Sequence, residues 1–328
     1  MGEFELIRRY FQRHGSASPG VVLGIGDDCA LLAPQPGMQI AVSSDMLVEG
    51  RHFLSTVAPE RLAHKALAVN LSDLAACGAR PLGFTLALAM PRADEVFLAP
   101  FARGLFALAD AHGIALVGGD TTAGPLNLCI TVFGEVPAGQ ALRRDGARAG
   151  DRLWVSGTLG DARLALEVFR GTLALPGLQF DAVRLAMELP TPRVALGQAL
   201  RGVATSAIDI SDGLLGDLGH LLRASALGAL VEADAIPCSS SLTALDTAWR
   251  RTCALHGGDD YELLFSAPPE RDDAVRAAAA AAGVAVTPIG LLRAAPGLQV
   301  RDALGRALAV DAQGFDHFAD VRAAAHPA

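Results

Sequence analysis

The chain has 328 residues, 51% of them hydrophobic, which suits one large domain or two ordinary ones and is too apolar for a disordered segment. A formal charge of −8 excludes a general nucleic-acid binder, which needs a basic footprint, but not a phosphorylated ligand, because bound cations reverse the local sign. The start, MGEFELIRRYFQRHG, has no apolar signal-peptide core, and no run approaches the ~18 apolar residues of a membrane span, so the expected location is the cytoplasm, with no membrane partner. Cys29, Cys77, Cys129, Cys238 and Cys253 are scattered without a C-x-x-C pair and read as reduced thiols. Lys65 is the only lysine, and no G-x-x-x-x-G-K-[ST] occurs, so a P-loop nucleotide site is excluded.

In chain order, residues 3–13 read as an amphipathic helix and QIAVSSD (39–45) as a strand ending at an acid. Residues 59–79 have helical periodicity and a glycine stop at Gly78. GFTLALAMP (83–91) is a buried-strand pattern, followed by a helix over 94–113 and the strands IALVGGD (114–120) and LNLCITVFGEVP (126–137). Successive strand–helix–strand passages predict α/β layering. The segment 137–151, rich in Gly, Ala and Arg, interrupts the pattern, so the predicted domains are 1–137 and 138–328. The second holds DRLWVSG, a helix from about Asp161, ATSAIDISD, a helix from about Gly213, a strand near 228–233, YELLFSAP, an alanine-rich helix over 270–282 and two short strands.

Six acids share a context. Asp28, Asp45, Asp120, Asp209 and Asp212 stand mostly where a predicted strand gives way to a turn, and Asp73 lies mid-helix, three residues from Asn70 and so on its face. Ligand sites in open α/β folds collect at such strand ends. In LGIGDDCALL (23–32), Asp27 joins Asp28 inside an apolar run, where charge is costly unless compensated. A single Ser-Asp or Gly-Asp is ordinarily a turn or helix cap. If the whole set converges, it cannot stay ionised without cations, and Mg²⁺ is the natural partner of oxygen-only ligands. No His/Cys spacing points to zinc. Such a site suits a polyphosphate, and Arg143, Arg144 and Arg148 are candidate anion contacts.

The stretches GIGDDCALL, SSDMLVEGRHF, KALAVNLSDLAACGARP, GGDTT, RRDGARAGD, VSGTLGDA, SAIDISDGLLGDLGH, GGDDYELLF and GFDHF span nearly the whole chain. Together they resemble the thiamine-monophosphate kinases, of the superfamily that includes aminoimidazole ribonucleotide synthetase and selenophosphate synthetase. The resemblance implies a two-domain α/β (α+β) fold of the aminoimidazole ribonucleotide synthetase type. It implies a homodimer whose N-terminal domains pair into a shared β-barrel-like core, with ATP in a cleft beside it. The implied reaction is direct transfer of the γ-phosphoryl of ATP to thiamine monophosphate, the last step in making thiamine diphosphate.

By the same resemblance, Asp27 and Asp28, Asp45, Asp73, Asp120, Asp209 and Asp212, with oxygens of Ser43 and Ser44, hold several Mg²⁺ ions, Asp28 rather than Asp27 being the direct ligand. Gly119, Asp120, Arg144 and Ser211 match nucleotide contacts. His52, one of Asp259 and Asp260, and Phe315 match the thiamine-phosphate side. Three positions depart from the family pattern: Ser44 where Thr is common, GGDDYEL for GGEDYEL, and Phe315 where Tyr or Trp is frequent. The chemistry fits, because a phosphate monoester with a second pKa of about 6 is largely ionised at neutral pH and needs no general base. A selenophosphate synthetase would need a reactive Cys in a Gly-rich loop, which Cys29 lacks. Another ATP-dependent enzyme of the superfamily and a non-enzymatic nucleotide-binding protein are the alternatives.

Overall fold

A computed structural model describes residues 2–13 and 18–309; Phe315 lies outside the described residues. The chain forms two compact units. The first takes residues up to Arg143, with Glu188–Ala204 and Ala274–Val284 returning to it; the second takes Arg144–Met187, Thr205–Asp273 and the chain from Ala285.

In the first unit a short helix α1 (Glu3–Leu6) runs into a wider turn through Phe11, and β1 (Val21–Leu23) pairs with β2 (Leu31–Leu32) in an antiparallel ribbon. Then come β3 (Met38–Val48), α2 (Pro59–Ala76), β4 (Arg80–Met90), α3 (Glu95–Ala111), β5 (Ala115–Ala123) and β6 (Asn127–Pro137). The four long strands form a sheet ordered β3-β6-β4-β5, with only β4 and β5 parallel. Helix α2 starts at Pro59, whose fixed φ suits a first turn, and stops at Gly78, where Ala79 N–H returns to the Leu74 carbonyl (2.8 Å). Asp94 caps α3 by accepting from Val96 N–H (2.9 Å), a bond worth about 1 kcal/mol.

Along β3 the two-residue period sorts side chains to opposite faces. Leu47 is buried and Ser43 and Asp45 are half-buried, whereas Val42 and Met46 are 58% and 56% exposed. Register carries that second face across the sheet: Val42 lies opposite Phe133, and Met46 opposite Cys129, which lies opposite Ala87. Leu67, Leu71, Leu74, Phe84, Leu86 and Phe101 are buried in this unit's core.

The second unit carries β7 (Arg152–Ser156), α4 (Asp161–Phe169) and α5 (Gly177–Glu188). After α6 (Val194–Ala199), which belongs to the first unit, come β8 (Ser206–Asp209), α7 (Leu214–Ser225), β9 (Gly228–Glu232), α8 (Ser240–Thr243), α9 (Thr247–His256) and β10 (Leu263–Ala267). Then follow α10 (Asp272–Ala282), which from Ala274 on belongs to the first unit, and in the second β11 (Val286–Arg293), β12 (Gly297–Arg301) and β13 (Ala307–Leu308). Seven strands form one sheet ordered β13-β12-β9-β11-β7-β10-β8, antiparallel except where β12 joins β9. Its core gathers Leu153, Val155, Ile208, Leu215, Leu218, Val231 and Leu264. The architecture is thus mixed α and β in two units, as the α/β (α+β) reading expects, with largely antiparallel sheets. A strand–helix–strand passage fixes the order of elements but not which strand fills the gap between them; here β6 inserts beside β4.

Candidate functional site

The acids divide between the two units, and each group is built differently. In the first unit, β3 and α2 meet at two rungs. Ser43 Oγ donates to Asp73 Oδ2 (2.5 Å), and Asn70 Oδ1 accepts from the Asp45 backbone N–H (3.1 Å). Asn70 and Asp73 are three apart on the helix, and Ser43 and Asp45 two apart on the strand, so each pair presents one face. Asn70 is fully buried and its amide also donates to Ala66 O (3.0 Å), so the rung is rigid. A hydrogen bond to a charged carboxylate contributes about 1.5–3 kcal/mol, which ties Asp73 to the strand.

Ser44 belongs elsewhere. Its side chain lies on the other face of β3, where Oγ contacts Thr131 Oγ1 (2.9 Å) and Cys129 Sγ (3.4 Å). The strand period separates it from Ser43 and Asp45, so this hydroxyl is not part of their oxygen group. Asp27 and Asp28 are exposed in the β1–β2 connection, where Asp28 N–H donates to Asp27 Oδ1 (2.8 Å). The apolar residues around them, Val22 and Leu31, are themselves exposed, so the pair carries no burial cost needing compensation.

Asp120 and Gly119 lie on β5, the opposite edge of the sheet from β3. One hydrogen-bonded row runs Asp45–Ile130–Leu86–Gly119, three strand spacings or about 14 Å between the edge backbones. Gly119 has φ of +143°, and a Cβ there would run into the Leu86 carbonyl, so only glycine fits. His52 curls back onto the end of β3: its Nδ1 accepts from Val48 N–H (3.0 Å), which places the ring proton on Nε2.

In the second unit, two loops interlock at edge strand β8. Asp209 ends that strand, buried, opposite Leu263 in register. From the next residues, Ile210 O accepts from Tyr261 N–H (2.8 Å) and Ser211 O from Asp259 N–H (2.8 Å). Gly258 packs so closely that a Cβ would strike the Ser211 carbonyl. On the other side, Asp217 Oδ2 accepts the backbone N–H groups of Ser211 (3.0 Å), Asp212 (3.0 Å) and Gly213 (3.1 Å). Burial pushes the Asp217 carboxyl up to about 7; the Asp212 charge adds to the rise, and the three N–H bonds oppose it. Arg144 is exposed, and its charge and that of Arg223 act on His220. Burial first, then these two cations, hold His220 below its ordinary value, with Asp212 opposing, so Arg144, His220 and Asp212 share one neighbourhood.

The GGDDYEL loop separates its acids by role. Asp260 accepts the Gly160 N–H through both oxygens (2.9 and 3.1 Å), at the start of α4, and burial drives its carboxyl well above the usual range. Glu262 accepts from Ser156 Oγ, which itself accepts from Leu263 N–H (2.8 Å). Asp259 and Tyr261 both have left-handed φ (68° and 51°), and Tyr261 OH donates to Asp259 Oδ1 (3.0 Å). Such backbone costs on the order of 1–3 kcal/mol per residue and persists because the N–H groups of both residues are locked to the loop after β8.

Among the described residues, no three His, Cys, Asp or Glu side chains stand close enough to hold a metal ion by themselves. The donor set is nonetheless all oxygen, the chemistry of a hard divalent cation.

Comparison with known proteins follows the same division. Residues 26–136 match the model of the AIR synthase related protein N-terminal domain, and 148–303 that of the C-terminal domain. A thiamine-monophosphate kinase of Salmonella typhimurium is 47% identical over 97% of this chain and 98% of its own. The crystal structure of a thiamine-monophosphate kinase from Stenotrophomonas maltophilia superposes with a TM-score of 0.85 at 46% identity, covering 94% of this chain and 98% of that one. AaThiL complexed with AMPPCP and TMP has a TM-score of 0.75 at 29% identity, over 87% of this chain and 89% of that one. On both the family models and this near full-length similarity, the chain belongs to the thiamine-monophosphate kinase family of AIR synthase related proteins.

Proposed function

We propose that this chain transfers the γ-phosphoryl group of ATP to thiamine monophosphate, giving thiamine diphosphate and ADP. The observation that carries the reading is the β3–α2 junction, Ser43–Asp73 and Asn70–Asp45, in a chain 47% identical to a thiamine-monophosphate kinase over 97% of its length. The relative complexed with AMPPCP, an ATP analogue, and TMP supports both substrates.

The reaction joins two anions. The acceptor phosphate is ionised near neutral pH and attacks without a base, so the requirement on the protein is charge and position. Asp28, Ser43, Asp45, Asp73 and Asp120 of the first unit and Asp209 and Asp212 of the second are the residues assigned to Mg²⁺, with Asp27 turning the Asp28 backbone and Ser44 left on the other face of β3. When bound, the metal supplies neutralisation of phosphate oxygens. Arg144 and the Ser211 turn are assigned to the nucleotide, and Gly119 lets backbone approach it. His52, with its proton on Nε2, is a donor for the acceptor phosphate. Of the two candidate acids, Asp259 is assigned to the thiazolium cation, since Asp260 is committed to Gly160. Phe315 keeps its assignment to the thiamine rings by resemblance.

The exposed apolar face of the first unit's sheet, with Val42 and Met46 more than half exposed, supports a homodimer that pairs these sheets into a barrel-like core. No described helix is long and apolar enough to cross a membrane.

An acceptor panel tests the reading. With ATP and Mg²⁺, thiamine monophosphate should be consumed, whereas thiamine and selenide should not. Turnover of one of the others in preference would move the chain to another branch of the superfamily. Binding of ATP without turnover of any acceptor would make it a nucleotide-binding protein.

A further inference from the structure

Asp217 lies in the first turn of α7, is 3% exposed, and is matched to no substrate or metal. Its backbone N–H donates to Gly213 O (3.0 Å), an ordinary helical bond, while its side chain reaches back past the start of the helix. A helix cap serves the N–H groups of the helix's own first turn. Here the three N–H groups accepted by Oδ2 come from Ser211, Asp212 and Gly213, all before the first helical residue, Leu214. The carbonyl side of the same turn is held independently, Ile210 O by Tyr261 N–H and Ser211 O by Asp259 N–H. The turn is therefore clamped from both sides, and the Asp217 clamp grips the two residues assigned to nucleotide and metal.

We infer that Asp217 is a positioning residue for phosphoryl transfer: its carboxylate pre-sets the Ser211–Asp212 turn so that these side chains meet the ATP phosphates without reorganisation. This rests on the kinase reading above. The residue touches neither substrate; it acts through the backbone of Ser211 and Asp212. The acceptor side should feel it less, because Asp259 meets the turn through a single hydrogen bond, at the carbonyl end of the peptide whose N–H Asp217 accepts.

The test compares wild type with Asp217→Asn, which keeps the shape and one acceptor oxygen, and Asp217→Ala, which keeps neither. In ligand-free protein, amide exchange at residues 211–213 should rise about tenfold or more in the Ala variant and less in Asn, with exchange in β7 and β10 unchanged. Calorimetric ADP affinity and the KM for ATP should weaken by about the same factor in Ala, with partial rescue in Asn, while the KM for thiamine monophosphate changes less than about twofold. Unchanged exchange at 211–213 in both variants would overturn the inference. So would a general rise in exchange with both KM values shifting together, since that is loss of stability alone. If Asp217→Ala does not fold, Asp217→Asn decides by the same local exchange. If the wild type proves inactive on thiamine monophosphate, the kinase reading fails while ADP affinity and local exchange still test the clamp.

Discussion

The two acid groups solve the same problem by opposite means. In the first unit, Ser43, Asp45 and Asp73 sit on a long strand and an 18-residue helix, and regular geometry alone aims them. In the second, Asp209, Ser211 and Asp212 sit at a strand end and in a loop, and buried carboxylates and a strained neighbouring loop hold them. A site on regular elements tolerates loss of any one support, because the helix and strand remain. A site on loops depends on each clamp. Substitutions of the acids assigned to Mg²⁺ should therefore cost similar activity in both regions, and substitutions of supports should cost more in the second.

The largest effect is expected at the acids assigned to Mg²⁺. Asp45→Asn keeps shape and removes charge, and should lower kcat by about 100-fold or more at saturating Mg²⁺ with Tm within a few degrees of wild type, read by steady-state kinetics and thermal melting. Asp212→Asn should fall as far, which fixes the baseline for comparing supports. Near wild-type turnover in either variant removes that residue from the metal group.

Next comes assembly. Val42→Asp with Met46→Asp places charge on the exposed face of β3 without touching Ser43 or Asp45, and should convert a dimer into monomers by light scattering. A wild type that is monomeric at micromolar concentration would contradict the pairing of sheets.

A smaller difference separates neighbours on one strand. Ser43→Ala loses the bond to Asp73 and should lower kcat/KM about tenfold, whereas Ser44→Ala, on the opposite face, should stay within about threefold. Equal losses would mean that the strand period does not sort their roles.

The smallest effect lies outside both regions. Burial holds His64, whose Nε2 meets Pro190 O (2.9 Å), and His112 below the usual 6.5. The unfolded chain then binds protons that the folded chain refuses, so this contribution to stability is full above pH 6.5 and is lost as the pH falls below it. Thermal melts at pH 7.5 and 5.5 should show a fall in Tm that shrinks in His64→Gln; an unchanged fall assigns the acid sensitivity elsewhere.

Much of the first region is legible in the sequence. The strands read at 39–45, 83–91 and 126–137 are present, although β3 runs past Asp45 to Val48 and β5 past Asp120 to Ala123, so these two acids stand within strands and not at their ends; the spacing of Asn70 and Asp73 already places them on one helix face. What a pattern cannot carry is pairing. The antiparallel insertion of β6, the opposite-edge positions of Asp45 and Asp120, and the return of residues 188–204 to the first unit are set by contacts between residues far apart in sequence. Asp27 and Asp28 look buried because their neighbours are apolar, but a two-stranded ribbon has no second layer to bury them. The second region is less legible. Asp217, Asp260 and Glu262 look like the other acids, yet each spends its carboxylate on local protein groups. The available signal was their position: Asp217 four residues into the segment after S-D-G, and Asp260 and Glu262 alternating with Asp259 and Tyr261. Helices α5 and α9 went unpredicted because their polar residues blur the apolar period.

Single-turnover transfer from γ-labelled ATP to thiamine monophosphate is the most direct test. The label should appear in thiamine diphosphate, with one ADP formed per thiamine diphosphate and no labelled orthophosphate beyond a no-acceptor control. Label released as orthophosphate, or ATP left intact in the presence of Mg²⁺ and acceptor, would contradict direct phosphoryl transfer by this chain.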